Sequence, residues 1–312
     1  MDRRCFLSQV GRLAAASGVA LAATAEAGEG LPDAAAAMPT ILLGKHRVTR
    51  LVVGSNPING YSYLGSQMDR HMSEYFTVDQ TTEFLLSCER AGITTHQFSD
   101  SASGKGEAVL RKVRERGSQM NFICLHAERE KIQQTAEKTR PFAMVHHGGA
   151  TDRLFGEGKS QQVHDYVKAV HDQGLLAGVS AHNPDCIRRI ADEGWEVDFF
   201  MACFYFLTRK AFQKPGEQPP PPETLEISYP FYRNDPAAMT RVIRQVQQPC
   251  LGFKILAAGR MCAEQETVRN AFRFAFEHIK PSDGVIVGMY PRFFDEVQAN
   301  AQYAREFGRA AS

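Results

Sequence analysis

The sequence predicts an α/β fold, a single (β/α)8 TIM barrel. Its 312 residues suit one such barrel of about 250 residues with appendages. The composition, 43% hydrophobic and 23% charged, is that of an ordinary globular protein. Short apolar runs alternate with amphipathic helical patterns along the chain, which indicates a parallel sheet. At this length a closed barrel fits better than an open, doubly wound sheet.

The N-terminus carries a pattern typical of an export signal. Arg3 and Arg4 begin the sequence RRCFL, which matches the twin-arginine pattern, and a run rich in Ala and Gly follows. The run is too short and too rich in Ala to span a membrane stably, and small residues near Ala27 offer cleavage sites. The predicted organisation is a signal peptide at 1–27, a linker at 28–40 and one barrel domain at 41–312. We therefore expect a periplasmic or secreted protein that contacts the twin-arginine export machinery, with no stable membrane span after processing.

Eight apolar runs are the candidate barrel strands, and several are apolar throughout, as expected where both faces of a parallel strand are buried. They lie at Leu51–Gly54, 94–98, 122–126, 142–146, 175–180, 199–204, 251–256 and Gly284–Gly288. Helical patterns fall between them, for example at 81–91, 161–173, 184–193, 236–246 and 263–278.

Two connections, 59–77 and 208–235, are unusually long. Both follow the carboxyl ends of strands, where barrels build their active sites, and long loops there often act as lids. In the second loop, Tyr229 and Tyr232 could stack on a substrate or anchor the loop to the barrel. Asn56 and Asn59, after the first strand, could hydrogen-bond substrate hydroxyls or only shape the turn.

Histidines cluster at the ends of the middle strands. His126 and His146 end neighbouring strands, and if both project toward the barrel mouth they could share a proton or a metal ion. His147 follows directly and is expected to point the opposite way across the strand. With His182, at the end of the fifth strand, the imidazoles could bind a divalent metal such as Zn²⁺, Mn²⁺ or Fe²⁺. No local ligand motif supports this, and each histidine alone fits a hydrogen-bonded polar residue equally well.

Lys254 is a further candidate because it interrupts the apolar seventh strand. A buried lysine is costly unless it is paired. It could act as a base or form a Schiff base, or it could form an ion pair inside the barrel mouth.

Several segments, taken in order, resemble the aldo-keto reductase family. Residues 178–184 (GVSAHNP) are similar to its Gly-Val-Ser-Asn-x-Asn segment, and 104–113 (GKGEAVLRKV) to the turn and helix after its second strand. Residues 257–260 (AAGR) and 285–288 (VIVG) resemble the ends of its last two strands, so the similarity spans about 41–307. The resemblance implies the (β/α)8 barrel and a transfer of hydride from NADPH to a carbonyl.

The resemblance also implies four catalytic positions, of which one is kept. The family Asp falls on Gln97, the Tyr near Ala102 or Ser103, the Lys on His126 and the His on His146. A reductase needs a phenol as proton donor and a cation beside it. Standard hydride transfer is therefore not expected.

The nicotinamide-binding positions implied by the resemblance are also altered. They read Ser180, Ala181 and Met201 where the family has Ser, Asn and Gln, and Phe204 in place of the stacking Tyr. Buried polar groups left unpaired cost about 1–3 kcal/mol each, which argues against standard binding. Lys254 could still bind a phosphate, and Phe204 could still stack on the ring.

Arg292, near the last helix, could pair with an adenosine phosphate, so the resemblance keeps an NADP site open as an alternative to a divalent metal.

The net charge of +1 gives no basic field for nucleic acid. Six cysteines follow the signal, widely scattered and without a CxxC motif, which favours buried free thiols over disulfides.

Three hypotheses for function follow. The first is an exported enzyme that acts on a small carbonyl or carbohydrate-like substrate by acid–base chemistry through His126, His146 and Lys254, beside Gln97, with or without a metal. The second is an oxidoreductase with tightly held NADP, and the third is a non-catalytic binding protein on the same barrel.

Overall fold

The structure is a computed structural model that describes residues 37–99, 105–209 and 229–309. A two-stranded antiparallel hairpin comes first, formed by β1 (Thr40–Leu43) and β2 (His46–Thr49). The signal peptide, the tyrosine position at Ala102 or Ser103, and the middle of the 208–235 loop lie outside the described residues.

Eight parallel strands then close into a barrel, as the sequence predicts. Their order is β10-β3-β4-β5-β6-β7-β8-β9, and β9 pairs with β10 to complete the ring. The strands are β3 (Leu51–Gly54), β4 (Thr95–Ser99), β5 (Asn121–His126), β6 (Ala143–His146), β7 (Leu176–Ala181), β8 (Phe199–Cys203), β9 (Cys250–Phe253) and β10 (Gly284–Gly288).

Helices connect the strands and pack around the barrel. They are α1 (Ser66–Tyr75), α2 (Val78–Arg90), α3 (Lys105–Glu115), α4 (Ile132–Thr139), α5 (Gly148–Gly156), α6 (Gln161–His171), α7 (Pro184–Asp192), α8 (Asp235–Gln245), α9 (Gln265–His278) and α10 (Glu296–Phe307). The 59–77 connection, expected to be a loop, therefore contains the ten-residue helix α1. Helix α1 has no buried residue, and most of its residues are polar.

The barrel interior is filled by alternate side chains of the strands, because successive residues of a strand point to opposite faces. Inward residues of the barrel strands pack with Ile41, Leu43 and Val48 of the hairpin in one apolar cluster. The hairpin, which the sequence pattern does not predict, therefore closes the amino-terminal end of the barrel. The carboxyl-terminal end is left as the mouth.

Arg50 ties the start of the barrel to its end. It is 4% exposed, and its guanidinium donates to the backbone oxygens of Lys280, Asp283 and Gly308 at 3.0, 2.7 and 2.6 Å. These three residues lie around β10 and after α10, so one side chain links the first barrel strand to the last strand and the last helix.

No disulfide joins the six cysteines of the described residues. Five of them are buried, and Cys262 is exposed. Among the described helices, none is both long enough and apolar enough to span a bilayer.

Candidate functional site

A small cavity of about 140 Å³ opens at the mouth of the barrel. Residues from the ends of most barrel strands and from the loops after them form its wall. Its described lining is Asn56, Tyr63, Gln97, Leu125, His147, Gly148, Gly149, Ser180, His182, Met201, Leu207, Thr208, Tyr229, Phe253 and Lys254. This is the face at which barrels of this type place their chemistry.

A histidine–aspartate pair forms one wall of this mouth cavity. His182, one residue after β7, directs its Nδ1 at the Oδ2 of Asp152 in α5, at 2.9 Å. Asp152 is fully buried and also accepts hydrogen bonds from the amides of His182 and Asn183 and from the hydroxyl of Thr208 at 2.7 Å. All the groups that contact this carboxyl are donors, so it acts as a carboxylate that fixes the imidazole.

The pairing decides which ring nitrogen of His182 is available. A carboxylate can only accept, so Nδ1 carries the proton and Nε2 is left with a lone pair. Burial lowers the pKa of His182 below its ordinary value, against the opposing effect of Asp152. The imidazole is therefore neutral near pH 7 and suited to accept a proton at Nε2.

His147 and the first residues of α5 form the adjoining wall. His147 immediately precedes α5, and no described side chain caps the helix. Its ring is open to the cavity, and partial desolvation together with the nearby charges of His182 and Lys254 lowers its pKa. Gly148 lies close against the site, since a Cβ there would approach Ser180 Oγ to 2.8 Å and His182 Cε1 to 3.1 Å.

Lys254 and Tyr63 lie next to each other in the opposite wall of the cavity. The Lys254 ammonium lies 4.7 Å from the ring centroid of Tyr63 and 4.7 Å from that of Phe253. Both Tyr63 (φ 60°) and Lys254 (φ 59°) are in the left-handed region, which is costly for residues other than glycine. Such strain clusters at functional sites, so the paired strain marks this wall as a candidate.

The two histidines predicted as catalytic do not face the cavity. Ile123 and Leu125 of β5 and Val145 of β6 point inward, so His126 and His146 point outward by the alternation of the strand.

His146 lies outside the barrel wall. Its Nδ1 is 2.7 Å from Thr151 Oγ1, its ring packs on Tyr166, and burial lowers its pKa to about 3. At His126, Nδ1 accepts from the amide of Glu128 at 3.2 Å. The condition that both project toward the mouth is therefore not met, and His147 lines the cavity although it was expected to point the opposite way.

The expected metal ligands are likewise not brought together. His126 and His146 lie outside the cavity, while Nδ1 of His182 is bonded to Asp152. Within the described ranges, no group of three or more His, Cys, Asp or Glu side chains is arranged to hold a metal ion.

Of the other predicted residues, five line the cavity: Gln97, Asn56, Ser180, Lys254 and Tyr229. Asn59 instead borders a separate, small cavity beside His96. Tyr232 lies 4.5 Å from the Arg209 guanidinium, an arrangement that favours loop anchoring over substrate stacking. Arg292 lines a distinct surface groove with Tyr75 and the residues around it.

The residues at the nicotinamide positions implied by the resemblance do not fit NADPH. Phe204 is 1% exposed and packs outside the barrel. Its ring lies so close to Gly252 that a Cβ at that position would come within 2.6 Å of it. Ala181 is fully buried in the outer core. Of the four expected nicotinamide contacts, only Ser180 and Met201 reach the cavity, and one hydroxyl cannot satisfy a carboxamide.

Sequence reasoning missed Asp152, Tyr63 and Thr208. Asp152 is the only one with a usable signal. It lies in a short helix that begins directly after a strand, and an acid four residues beyond the N-terminus of such a helix is near the barrel mouth. The contacts of Tyr63 and Thr208 depend on loop geometry, which has no comparable periodic pattern.

The fold and mouth cavity together define a (β/α)8 barrel protein with a small, concave site at its carboxyl-terminal face. No family model matches the sequence, and no curated protein is similar to it.

Among solved structures, the chain has the barrel fold of the aldo-keto reductases. A Pseudomonas aeruginosa protein described as an aldo-keto reductase aligns with a TM-score of 0.58 and 17% identity over 86% of this chain and 96% of that one. A glycerol dehydrogenase from Gluconobacter oxydans aligns with a TM-score of 0.53 and 11% identity, over 88% and 90% of the two chains.

Proposed function

We propose that this protein is an enzyme that acts on a small carbonyl or carbohydrate-like substrate by acid–base chemistry in the mouth cavity, without standard hydride transfer. The observation that carries the proposal is the hydrogen bond from His182 Nδ1 to the buried Asp152 at 2.9 Å, in a wall of that cavity. The pair has the form by which enzymes orient a general base.

The proposed roles follow from the positions of the groups. His182 Nε2 accepts a proton from the carbon or hydroxyl next to the substrate carbonyl, and Asp152 stabilises the imidazolium that forms. The Lys254 ammonium stabilises the negative charge that develops on the carbonyl oxygen. Gln97 and Asn56 supply polar contacts to hydroxyls.

The cavity volume supports a small substrate. At about 140 Å³ it is well below the roughly 300–1,000 Å³ typical of pockets for drug-sized ligands. A compound with few carbons suits this volume, whereas a dinucleotide would have to extend far outside it.

Proton exchange in D₂O tests the proposal without a known substrate. We expect the purified protein to introduce deuterium next to the carbonyl of hydroxyacetone, dihydroxyacetone, glycolaldehyde or pyruvate, with no nucleotide added, as read by NMR. His182→Gln should lower the rate by about 10²–10⁴-fold. His71→Gln, on the exposed side of α1, is the matched control and should be unaffected.

Two results would contradict the proposal. One is turnover that requires NADP(H), or a nucleotide released from the denatured protein, which would favour the oxidoreductase alternative. The other is exchange in the presence of wild type or His182→Gln that does not exceed the rate without protein, which would favour a binding protein.

We further propose that residues 1–27 direct export by the twin-arginine route to the periplasm or beyond. The support is the sequence RRCFL followed by the Ala-rich run. Replacing both Arg3 and Arg4 by Lys in the full chain should abolish the exported fraction in a cell-fractionation assay. The matched pair Arg47→Lys and Arg70→Lys should export normally, and equal export of both variants would refute the route.

A further inference from the structure

The amino terminus of α5 opens onto the mouth cavity without a protein partner. Gly148 and Gly149 line the cavity, and no described side chain caps the helix. The first amides of a helix have no acceptor within it, and the helix dipole places partial positive charge there. This end of α5 is therefore ready to receive an anion.

Ser180 provides a second, independent sign of a ligand at the same place. It is 1% exposed and lines the cavity, and its hydroxyl makes no hydrogen bond with a described residue. It lies beside the helix end, since its Oγ would be 2.8 Å from a Cβ at position 148. The Ser180 hydroxyl therefore faces the cavity with its hydrogen-bonding capacity unused by described residues, and it can donate to an acceptor of a bound ligand.

The charges of the cavity point to the same ligand class. Lys254 makes no ion pair with a described residue, and no carboxylate is among the described lining residues. The charge of Asp152, just behind the wall, is already satisfied by the hydrogen bonds that it accepts. A lysine and a helix N-terminus that line the same cavity favour a ligand with a negative charge.

From these contacts we propose that the substrate carries a carboxylate, bound by the α5 amides and the Ser180 hydroxyl in the field of Lys254. The inference rests on the proposed function, because it places the reacting carbonyl next to the carboxylate and near His182. A carboxylate has three heavy atoms and leaves room for the reacting carbons in about 140 Å³. A phosphate ester would fill more of that volume, so a carboxylate is favoured over a phosphate.

Calorimetry with matched ligands tests the inference on the purified full chain. Pyruvate has a carboxylate where hydroxyacetone has a neutral hydroxymethyl group. We expect pyruvate to bind about tenfold or more tightly than hydroxyacetone, and more tightly than inorganic phosphate. Ser180→Ala should weaken pyruvate binding by about tenfold and leave hydroxyacetone binding within about twofold.

Two further variants complete the design. Lys254→Met should remove most of the preference for pyruvate. Ser160→Ala, a serine that precedes α6 and caps no helix, is the matched control and should change neither affinity.

The inference is overturned if pyruvate does not bind, if hydroxyacetone or phosphate binds equally well, or if Ser180→Ala retains the preference. Its failure is separable from that of the proposed function. Exchange of neutral ketones that depends on His182, without a preference for pyruvate, would leave the acid–base function standing. Tight, Ser180-dependent pyruvate binding with no exchange would instead remove the acid–base function and keep the carboxylate site.

Discussion

At the residue scale, Asp152 holds the candidate site together. Its carboxylate lies at the point where α5, the segment after β7 and the start of the long loop at Thr208 meet. Because Asp152 is fully buried, its contacts are not weakened by solvent. The position of the His182 ring therefore depends on this one acid.

Replacing Asp152 by Asn should lower proton exchange by about 10²–10⁴-fold. The NH₂ group of the amide would face N–H and O–H donors, and the proton of His182 would no longer be held on Nδ1. The variant should also lose about 3–5 kcal/mol of unfolding free energy. NMR exchange and urea unfolding measure the two effects. Asp192→Asn, on the exposed face of α7, is the control. Wild-type exchange in Asp152→Asn would show that Asp152 has no positioning role.

His96 gives a prediction on pH. It is buried, its Nδ1 lies 3.0 Å from the Val53 oxygen, and burial lowers its pKa to about 4. The unfolded chain therefore binds a proton below about pH 6.5 that the folded protein does not bind, so stability falls as the pH drops from about 6.5 toward 4.

Between pH 7.5 and 5, His96 should account for about 2 kcal/mol of the lost unfolding free energy. In His96→Gln this part of the pH dependence should be absent, as read from urea unfolding curves across the range. An identical slope in wild type and variant would mean that His96 titrates normally in the folded protein.

Lys254 is the only lysine in the described wall of the cavity, and its backbone has a positive φ. A left-handed conformation costs about 1–2 kcal/mol for a residue with a Cβ, and glycine avoids it. The free energy of unfolding of Lys254→Gly should therefore be about 1 kcal/mol higher than that of Lys254→Met. Both variants should lose the proposed activity. Equal stability of the two would show that the backbone at Lys254 is not strained.

At the element scale, α5 connects the two sides of the site. It begins directly after His147 and carries Asp152 one turn later, so its first turn positions both the open amides and the base. Its entry has no room for a side chain, because a Cβ at Gly148 would collide with Ser180 Oγ.

Gly148→Ala should therefore reduce pyruvate affinity or proton exchange by about tenfold or more. It should also cost about 1–3 kcal/mol of unfolding free energy, because the added methyl group collides with Ser180. Gly106→Ala in α3 is the matched control, because a Cβ there meets its nearest neighbour at an ordinary 3.9 Å. Calorimetry and urea unfolding check both variants. Unchanged affinity in Gly148→Ala would place the ligand away from this helix end.

The barrel strands could be predicted from sequence because buried parallel strands are continuous apolar runs. The strands at Leu51–Gly54 and Gly284–Gly288 match their predicted bounds, and the others differ by one to three residues at their ends. The hairpin at 40–49 could not be found in the same way, because each strand has only four residues and the second, HRVT, has a single apolar residue.

The site was predicted less well than the fold. Lys254 and Asn56 were proposed because each is a polar residue at or just after an apolar strand, and Gln97 and Ser180 were proposed from the resemblance; all four line the cavity. The choice between His146 and His147 failed because it depends on which face of a four-residue strand is inward, and β6 is apolar on both faces.

At the scale of the whole molecule, closure of the ring joins its two ends in sequence. Arg50 makes this connection through three backbone oxygens, and its guanidinium also lies 4.8 Å from the Phe276 ring. Removing the side chain would take this donor from the oxygens of Asp283 and Gly308, whereas the Lys280 oxygen would still accept from the Asp283 amide at 3.0 Å.

Arg50→Met should therefore cost about 3–5 kcal/mol of unfolding free energy. The mouth cavity lies at the opposite end of the barrel, so proton exchange per folded molecule should be unchanged. Arg70→Met, exposed on α1, is the control, and urea unfolding with NMR exchange gives both readouts. A loss below about 1 kcal/mol would show that the ring does not depend on this link.

The separation of the apolar interior from the polar mouth has a consequence for protein engineering. The layer that holds the barrel closed shares few residues with the rim, so rim positions can be exchanged while the scaffold is kept. An aspartate at Gln97, which lines the cavity and is not part of the apolar interior, would add a negative charge to the cavity that holds Lys254. Variants that differ only in the side chains around the mouth could thus be compared on one unchanged barrel.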